Sequence, residues 1–532
     1  MRAADVVAKR LYEAGCRWAF GMPGGEVLTL LDALEKAGIK FVLTKHENAA
    51  GFMAEGTYHR TGAPGILLAT VGPGALNGIN VVENAREDRV PLVVLTGCVD
   101  PETAEVYTHQ VLDQREVFKG VTKASFTLNA GVAHEIIDKA VGIATEGRPG
   151  PVHIDVPINV ADAPSQGEGV LRPAAGPMVP AASDLDAAKA ALGQAKRPLI
   201  IAGVDAVSDK GADAVQAAAE RLGAPVVTTY KAKGLLPEDH PLSLGGAGLS
   251  PKNDAILIPL VQQADVILAI GYDPVEMRLG WQNPWNPSTQ VILDITAEPN
   301  HHYMHQSSHN FIGDPAETVM ALLPDQMPAV WTDREIANTK AALADAFPRG
   351  DAWGPAQAIS VVQEVLPNDT LTTVDSGAHR ILLSQMWKCQ FPRAVMQSTG
   401  FCTMGCAVPL AIGTHLVEPE RTVVSFSGDA GFLMVVGELA TAAENGLKTI
   451  FVVFVDASLA LIELKQRSRQ LGNVGVDFNR PQIAAIGRAF GGEGHTVSSE
   501  AELREALASA QSADTFSVIA VEIDRQAYDG AF

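Results

Sequence analysis

Thr422-Val-Val-Ser-Phe-Ser-Gly428-Asp429-Ala430-Gly431 and, one helix later, Thr449-Ile-Phe-Val-Val-Phe-Val455-Asp456-Ala-Ser458 decide the fold of this chain. Each begins with an apolar run of strand length. The first strand ends in the tight turn Gly428-Asp429-Ala430-Gly431, and Glu438, Leu439, Thr441 and Ala442 then recur at helical spacing. The second strand ends at Asp456, 27 residues after Asp429. This is a βαβ unit whose two strands both end in a carboxylate. A lone Gly-Asp-Ala turn would be ordinary punctuation, because turns select Gly and Asp. Two acids at adjacent strand ends are more than that. In a doubly wound sheet, ligands bind beyond the carboxyl ends of the strands, here beside a helix N-terminus that favours anions. Paired hard oxygen ligands at such a place suit a Mg²⁺ that keeps some water and takes phosphate oxygens.

The rest of the chain repeats the alternation of helix and strand. Residues 1–165 read as helix 3–15, strand Trp18-Ala-Phe-Gly, the turn Gly21-Met-Pro-Gly24-Gly25-Glu26, strand Phe41-Val-Leu-Thr and helix 49–60. Strand Gly65-Ile-Leu-Leu-Ala-Thr70, its glycine-rich turn, strand 91–96 and strand 151–157 follow. Residues 166–183, rich in Pro, Ala and Gly, read as a linker. A second unit spans 184–325, with strands at 198–202, 225–229, 265–270 and 290–295. Residues 326–354 read as a second linker, and a third unit spans 355–532. The expected architecture is α/β: three doubly wound domains with mostly parallel sheets, the first and third alike in pattern.

Composition narrows the class. A chain of 532 residues with 47% hydrophobic and 19% charged residues suits about three globular domains. The net charge of −21 argues against nucleic-acid or anionic-membrane partners. An anionic substrate would have to be met by local positive groups. Cys16, Cys98, Cys389, Cys402 and Cys406 are sparse, odd in number and without metal-ligand spacing, which fits a reducing cytoplasm. No apolar run reaches membrane-spanning length, and the N-terminus reads as an amphipathic helix start.

The opening motif, Gly-Asp-Ala followed by Glu438-Leu-x-Thr-Ala and a polar strand end, resembles the diphosphate-binding motif of thiamine diphosphate enzymes. The resemblance covers nearly the whole chain and is strongest to acetohydroxyacid (acetolactate) synthases and related 2-oxo acid decarboxylases. That family usually ends the motif in Asn-Asn, where this chain has Val455-Asp456. The resemblance implies Mg²⁺ held by Asp429, Asp456 and the backbone carbonyl of Ser458. It implies a diphosphate resting on Gly428, Ala430 and Gly431 and on Gly377, Ala378 and His379. In Ser398-Thr-Gly-Phe-Cys402-Thr-Met404, it implies that Met404 props the cofactor and that the Cys402 carbonyl accepts from its aminopyrimidine.

In the first unit, Glu47 stands at a helix start, where a carboxylate simply complements the dipole. Its segment His46-Glu47-Asn-Ala-Ala-Gly-Phe-Met-Ala-Glu-Gly resembles the family's catalytic segment, which implies that Glu47 hydrogen-bonds the cofactor's pyrimidine ring and tunes its protonation. The turn Thr70-Val-Gly72-Pro-Gly74-Ala-Leu-Asn77 is either packing punctuation or, by resemblance, the pyrimidine-side loop, with roles for Gly72 and Asn77. Gly24 falls in the family's first active-site loop. The neighbouring Glu26 is either solvated or turned to substrate. His109-Gln110 combines a feature of decarboxylases, which pair histidines here, with the Gln of the synthases; both are expected near the reacting carbons. Glu463 and Lys465 should border the substrate, Glu463 as a further catalytic candidate. In the middle unit, Tyr272-Asp273-Pro-Val-Glu-Met-Arg278 replaces the synthases' Arg-Phe-Asp-Asp-Arg, so FAD is not expected.

These readings converge on a cytoplasmic thiamine diphosphate- and Mg²⁺-dependent 2-oxo acid decarboxylase and carboligase resembling acetolactate synthase, a transferase or lyase. A non-ligating decarboxylase or C–C lyase is the alternative, and a cofactor-binding protein without turnover is the alternative from another class. By resemblance the cofactor lies between the first domain of one subunit and the third of another, which implies a homodimer or homotetramer.

Overall fold

The computed structural model describes residues 1–166, 175–325 and 331–532, so the two stretches read as linkers, 166–183 and 326–354, lie partly outside the described residues. Three six-stranded sheets follow one another along the chain. The first contains β1 (Trp18–Met22), β2 (Lys40–Leu43), β3 (Gly65–Ala69), β4 (Leu92–Cys98), β5 (Ala124–Thr127) and β6 (Val152–Pro157). The second contains β7 (Pro198–Ala202), β8 (Val226–Thr229), β9 (Ser243–Ala247), β10 (Val266–Ile270), β11 (Val291–Thr296) and β12 (His309–Ile312). The third contains β13 (Leu371–Val374), β14 (Val395–Gln397), β15 (Val423–Gly428), β16 (Ile450–Val455), β17 (Glu493–Val497) and β18 (Ser517–Glu522). Every pairing within these sheets is parallel. The chain is an α/β protein of three such domains.

The strand orders carry the likeness between the outer domains. The first sheet runs β2-β1-β3-β4-β6-β5 and the third β14-β13-β15-β16-β18-β17, the same order; the middle sheet runs β12-β11-β10-β7-β8-β9. Central strands such as β15 and β16 are buried nearly throughout, as parallel strands covered by helices on both faces must be.

Six helices position the site: α1 (Glu47–Thr61), α2 (Ile79–Glu87), α3 (Ala378–Met386), α4 (Ala407–Val417), α5 (Glu438–Glu444) and α6 (Ala460–Ser468). Helices α1 and α4 are buried on nearly every side, so neither shows an amphipathic pattern. They cross in close contact because glycines sit at the crossing. A Cβ at Gly413 would lie 2.0 Å from the Met53 carbonyl oxygen, and one at Gly56 would lie 2.6 Å from that of Leu410. One hydrophobic core therefore runs through Phe52 and Met53 of the first domain and Leu410, Ile412 and Phe451 of the third. Among the described residues, no helix is long and apolar enough to cross a membrane.

Candidate active site

Strands β15 and β16 pair in register from Val424↔Ile450 to Gly428↔Phe454, so they end side by side. Asp429 opens a short helix, Asp429–Met434, straight after β15, and Asp456 follows β16 directly. Asp429 accepts the Ala430 N–H at 2.9 Å on one oxygen and the Ala457 N–H at 2.8 Å on the other. Asp456 accepts the Ser458 N–H at 3.0 Å. Ala457 sits at φ 58°, a left-handed conformation that a non-glycine residue holds only when its surroundings enforce it. Burial raises the pKa of both acids, and the neighbouring Asp429 charge helps push Asp456 up to about 7. Two buried carboxylates at adjacent strand ends, with Arg525 offsetting the Asp456 charge only in part, form a donor set that a divalent ion would relieve.

A cavity of about 640 Å³ opens over these acids. It is lined by Gly377, Ala378, His379, Cys402, Met404, Gly428, Asp429, Ala430, Gly431, Asp456 and Ser458, so the residues expected in the diphosphate half share one space. Helix α3 aims its N-terminus into it, with Gly377 as N-cap. His379 is buried, its Nε2 has no hydrogen-bond partner, and burial pushes its pKa down to about 3, so the ring is neutral. Beneath the floor, Asp375 accepts the N–H groups of Gly405 at 2.9 Å and Cys406 at 3.0 Å and so holds the end of the Met404 loop. A Cβ at Gly431 would come 1.9 Å from the Asp375 carboxylate, so only glycine fits there. The carboxylate pair, the helix N-terminus and the orphaned imidazole nitrogen fit a metal-bound diphosphate.

Glu463 requires a correction. It does not line the cavity as an acid free to meet substrate. The Ser458 hydroxyl donates to it at 2.5 Å, Arg525 at 2.8 Å and Arg467 at 2.7 Å. Burial would raise its pKa, but the hydrogen bonds from Arg525 and Ser458 and the two guanidinium charges hold it below the usual value. Glu463 braces Ser458 instead. The helical offset explains this: it places Leu461, Ile462, Leu464 and Lys465 on the cavity and turns Glu463 behind them.

The first-domain residues form a second cluster. Glu47 is the first residue of α1 and is 5% exposed. The Asn77 side chain donates to it at 3.0 Å. Gly72 has φ 65°, its N–H donates to Gln114 at 2.7 Å, and Gln110, itself at φ 57°, lies against it. At Gly24 a Cβ would fall 2.2 Å from the Thr70 hydroxyl. That hydroxyl donates to the half-buried Glu26 at 2.6 Å. His109 and Gln110 are exposed, with the His109 ring edge-on to Tyr107. None of these first-domain residues lines the third-domain cavity. Within one chain, the structure gathers the two predicted groups and keeps them apart.

The middle domain contributes Arg278 to the cavity wall, where Asp254 holds it at 2.6 Å. Asp273, at the place of the synthases' arginine, turns the other way. It pairs with Arg89 at 2.7 Å and Arg148 at 3.5 Å, both from the first domain. Sequence reading missed this tie, as it missed Asp375 and the Arg525 contact to Glu463, because each joins residues far apart in the chain; Arg467, one turn from Glu463, lay within reach of it.

Three family models match in the same order as the sheets. Residues 1–117 match "Thiamine pyrophosphate enzyme, N-terminal TPP binding domain". Residues 185–322 match the central domain of that enzyme and 375–521 its C-terminal TPP binding domain. The acetolactate synthase of Bacillus subtilis is 31% identical over 98% of this chain and 93% of its own length. The catabolic acetolactate synthase of Raoultella terrigena is 30% identical over 98% and 95%. The probable 2-ketoarginine decarboxylase of Pseudomonas aeruginosa is 31% identical over 92% and 88%. With three thiamine pyrophosphate domains in register with three parallel sheets, the chain belongs to the thiamine pyrophosphate (thiamine diphosphate) enzyme family and is an enzyme of the acetolactate synthase type.

Proposed function

We propose that this enzyme decarboxylates a small 2-oxo acid and joins the remaining carbons to a carbonyl acceptor, as an acetolactate synthase does. The observation that carries the reading is the buried pair Asp429 and Asp456 at two adjacent strand ends, on the floor of a cavity faced by the N-terminus of α3. Asp429, Asp456 and the Ser458 carbonyl hold Mg²⁺. The N–H groups that open α3, together with those of Ala430 and Gly431, donate to the diphosphate. When bound, thiamine diphosphate supplies the electron sink that lets a 2-oxo acid lose carbon dioxide.

The protein's own residues bind, orient and exclude water. Met404 and Cys402 shape the cavity beside the metal pair. Glu47, kept in place by Asn77, shares a proton with the pyrimidine ring. Gln110, close to Gly72, and the neighbouring His109 stand at the acceptor side. Because the Glu47 cluster and the cavity are separate within one chain, a working site takes the first domain of one copy and the third of another. Leu76 and Val106, 43% and 87% exposed beside the Glu47 cluster, and Met434, 63% exposed after Asp429, supply apolar surface for that contact. The enzyme is therefore at least a homodimer. With Asp273 committed to Arg89 and Arg148, it works without FAD.

A second reading, simple decarboxylation, draws support from the likeness to the 2-ketoarginine decarboxylase and from His109, where the synthases have Phe. Incubation with thiamine diphosphate, Mg²⁺ and a panel of 2-oxo acids, with and without an aldehyde, separates the two. Carbon dioxide with a ligated hydroxyketone is expected. Carbon dioxide with free aldehyde alone would favour the second reading, and no carbon dioxide from any acid would sink both. Turnover per subunit should fall on dilution, as light scattering reports monomers.

A further inference from the structure

We infer that Asp88 of the first domain is a positioning residue for the cofactor cavity of its own chain, through the Cys402–Met404 loop; this rests on the reading of that cavity given above. Asp88 caps the C-terminus of α2, the helix end that disfavours a negative charge. It is 3% exposed. A carboxylate in that place is costly unless donors surround it, and donors do. One oxygen accepts the Gly400 N–H at 2.9 Å and the Thr399 hydroxyl at 3.0 Å, and the Thr399 N–H stands 3.3 Å away. The other oxygen meets the Lys231 ammonium of the middle domain at 3.0 Å.

The same contacts fix the loop that follows. Lys231 also donates to the Gln397 carbonyl at 3.0 Å. The Ser398 hydroxyl donates to Asn84, one turn before Asp88, and accepts the Thr403 N–H at 2.8 Å. Gly400 lets the loop settle against the end of α2, since a Cβ there would lie 2.7 Å from that of Glu87. Two residues on, Cys402 is held at φ 55°, a strained conformation for any residue that carries a Cβ. Cys402 and Met404 then line the cavity. First and middle domains thus fix the Gln397–Gly400 side of a wall that the third domain holds from its other side, through Arg380 to Cys402 and Asp375 to Gly405. An acceptor-only carboxylate suits this, because the groups hydrogen-bonded to it are donors, and the Lys231 ammonium, 3.6 Å from Glu55, offsets the like charge of that neighbouring buried acid.

The test is calorimetry of thiamine diphosphate binding with Mg²⁺ present, on the full-length protein. Asp88→Asn turns an amide N–H₂ toward donors and should weaken cofactor binding about 10- to 100-fold. The KM for the 2-oxo acid at saturating cofactor should stay as in wild type while kcat falls. Thr399→Val removes one donor and should shift the same affinity in the same direction by less. It also carries the test if Asp88→Asn does not fold. A melting temperature that drops while the dissociation constant and kcat stay unchanged would make Asp88 a purely structural tie and overturn the inference. Wild-type protein that binds no cofactor would overturn the underlying reading of the cavity, and this inference with it.

Discussion

Around Asp429 and Asp456 the third domain folds the floor, most of the wall and the helix N-terminus of a cavity of about 640 Å³, with Arg278 of the middle domain at its side. Around Glu47, itself buried, the first domain presents Asn77, His109 and Gln110 to solvent. The difference follows from the demands on each half. A diphosphate and a divalent ion need charge concentrated in a dry, fixed place, so one chain builds it from adjacent strand ends. An aromatic ring and a substrate need a roof that a second copy can supply. Copies of one chain can therefore share a site without either half being redundant.

Removing the carboxylate proposed to hold Mg²⁺ tests the closed half most severely. Asp429→Ala should abolish measurable thiamine diphosphate binding, a weakening of more than about 100-fold, since even residues behind metal ligands often cost 10–100-fold. The far-ultraviolet spectrum should not change. Wild-type affinity by calorimetry would show that the cavity is not the diphosphate site.

The open half should behave in the opposite way. Glu47→Gln keeps the shape and the Asn77 contact but cannot share a proton as a carboxyl does. Turnover should drop by about 10²–10⁴-fold, with cofactor affinity nearly unchanged. If affinity collapsed instead, the two halves would not divide binding from activation, and the comparison would fail.

Glu463→Gln asks how far the closed half reaches. Its two arginines would face a neutral amide, and Ser458 would lose its charged acceptor. Mg²⁺-dependent cofactor affinity should weaken by about 10–100-fold, as for other residues that orient metal ligands. A loss of turnover with unchanged affinity would return Glu463 to the reacting groups.

The closed half was also the more legible one. Thr422–Ser427 and Thr449–Val455 are runs of small and apolar residues of strand length, the first followed by Gly428-Asp429 and the second by Asp456; local sequence contained both strand and ligand. The Glu47 cluster was readable as residues but not as a face, since its openness depends on the packing of α1 on α4 through Gly56 and Gly413. Edge strands such as β9, Ser243-Leu-Gly-Gly-Ala, and β12, His309-Asn-Phe-Ile, carry too few apolar residues to stand out. The continuous apolar run Val518-Ile-Ala-Val521, buried throughout, could have been read as the middle of β18. Glu463 was misplaced because helical register decides its direction by one residue. Asp88, Asp375 and Asp273 were beyond reach: each is defined by partners from another part of the chain.

The smallest expected effect concerns the seam between the halves. His415 lies in α4, the helix that packs on α1, and its Nδ1 is 2.8 Å from the Thr449 hydroxyl at the start of β16. Burial pushes its pKa down to about 4. The unfolded chain takes up a proton near pH 6.5 and the folded chain only near pH 4, so the unfolded state gains protons first as pH falls. The stability held by the neutral ring is complete above pH 6.5 and is lost as pH falls through about 4. The slope is at most about 1.4 kcal/mol per pH unit. His379 and the α1 residue His59, both also pushed down by burial, act with the same sign. His415→Gln keeps a polar partner for Thr449 and removes one of these three groups. Its melting temperature should fall less steeply than that of wild type between pH 6.5 and 4.5, so the gap between the two proteins narrows in acid. Parallel curves would mean that the seam does not respond to His415. Acid sensitivity would then belong to the cavity or to α1, and the two halves would have to be compared again from there.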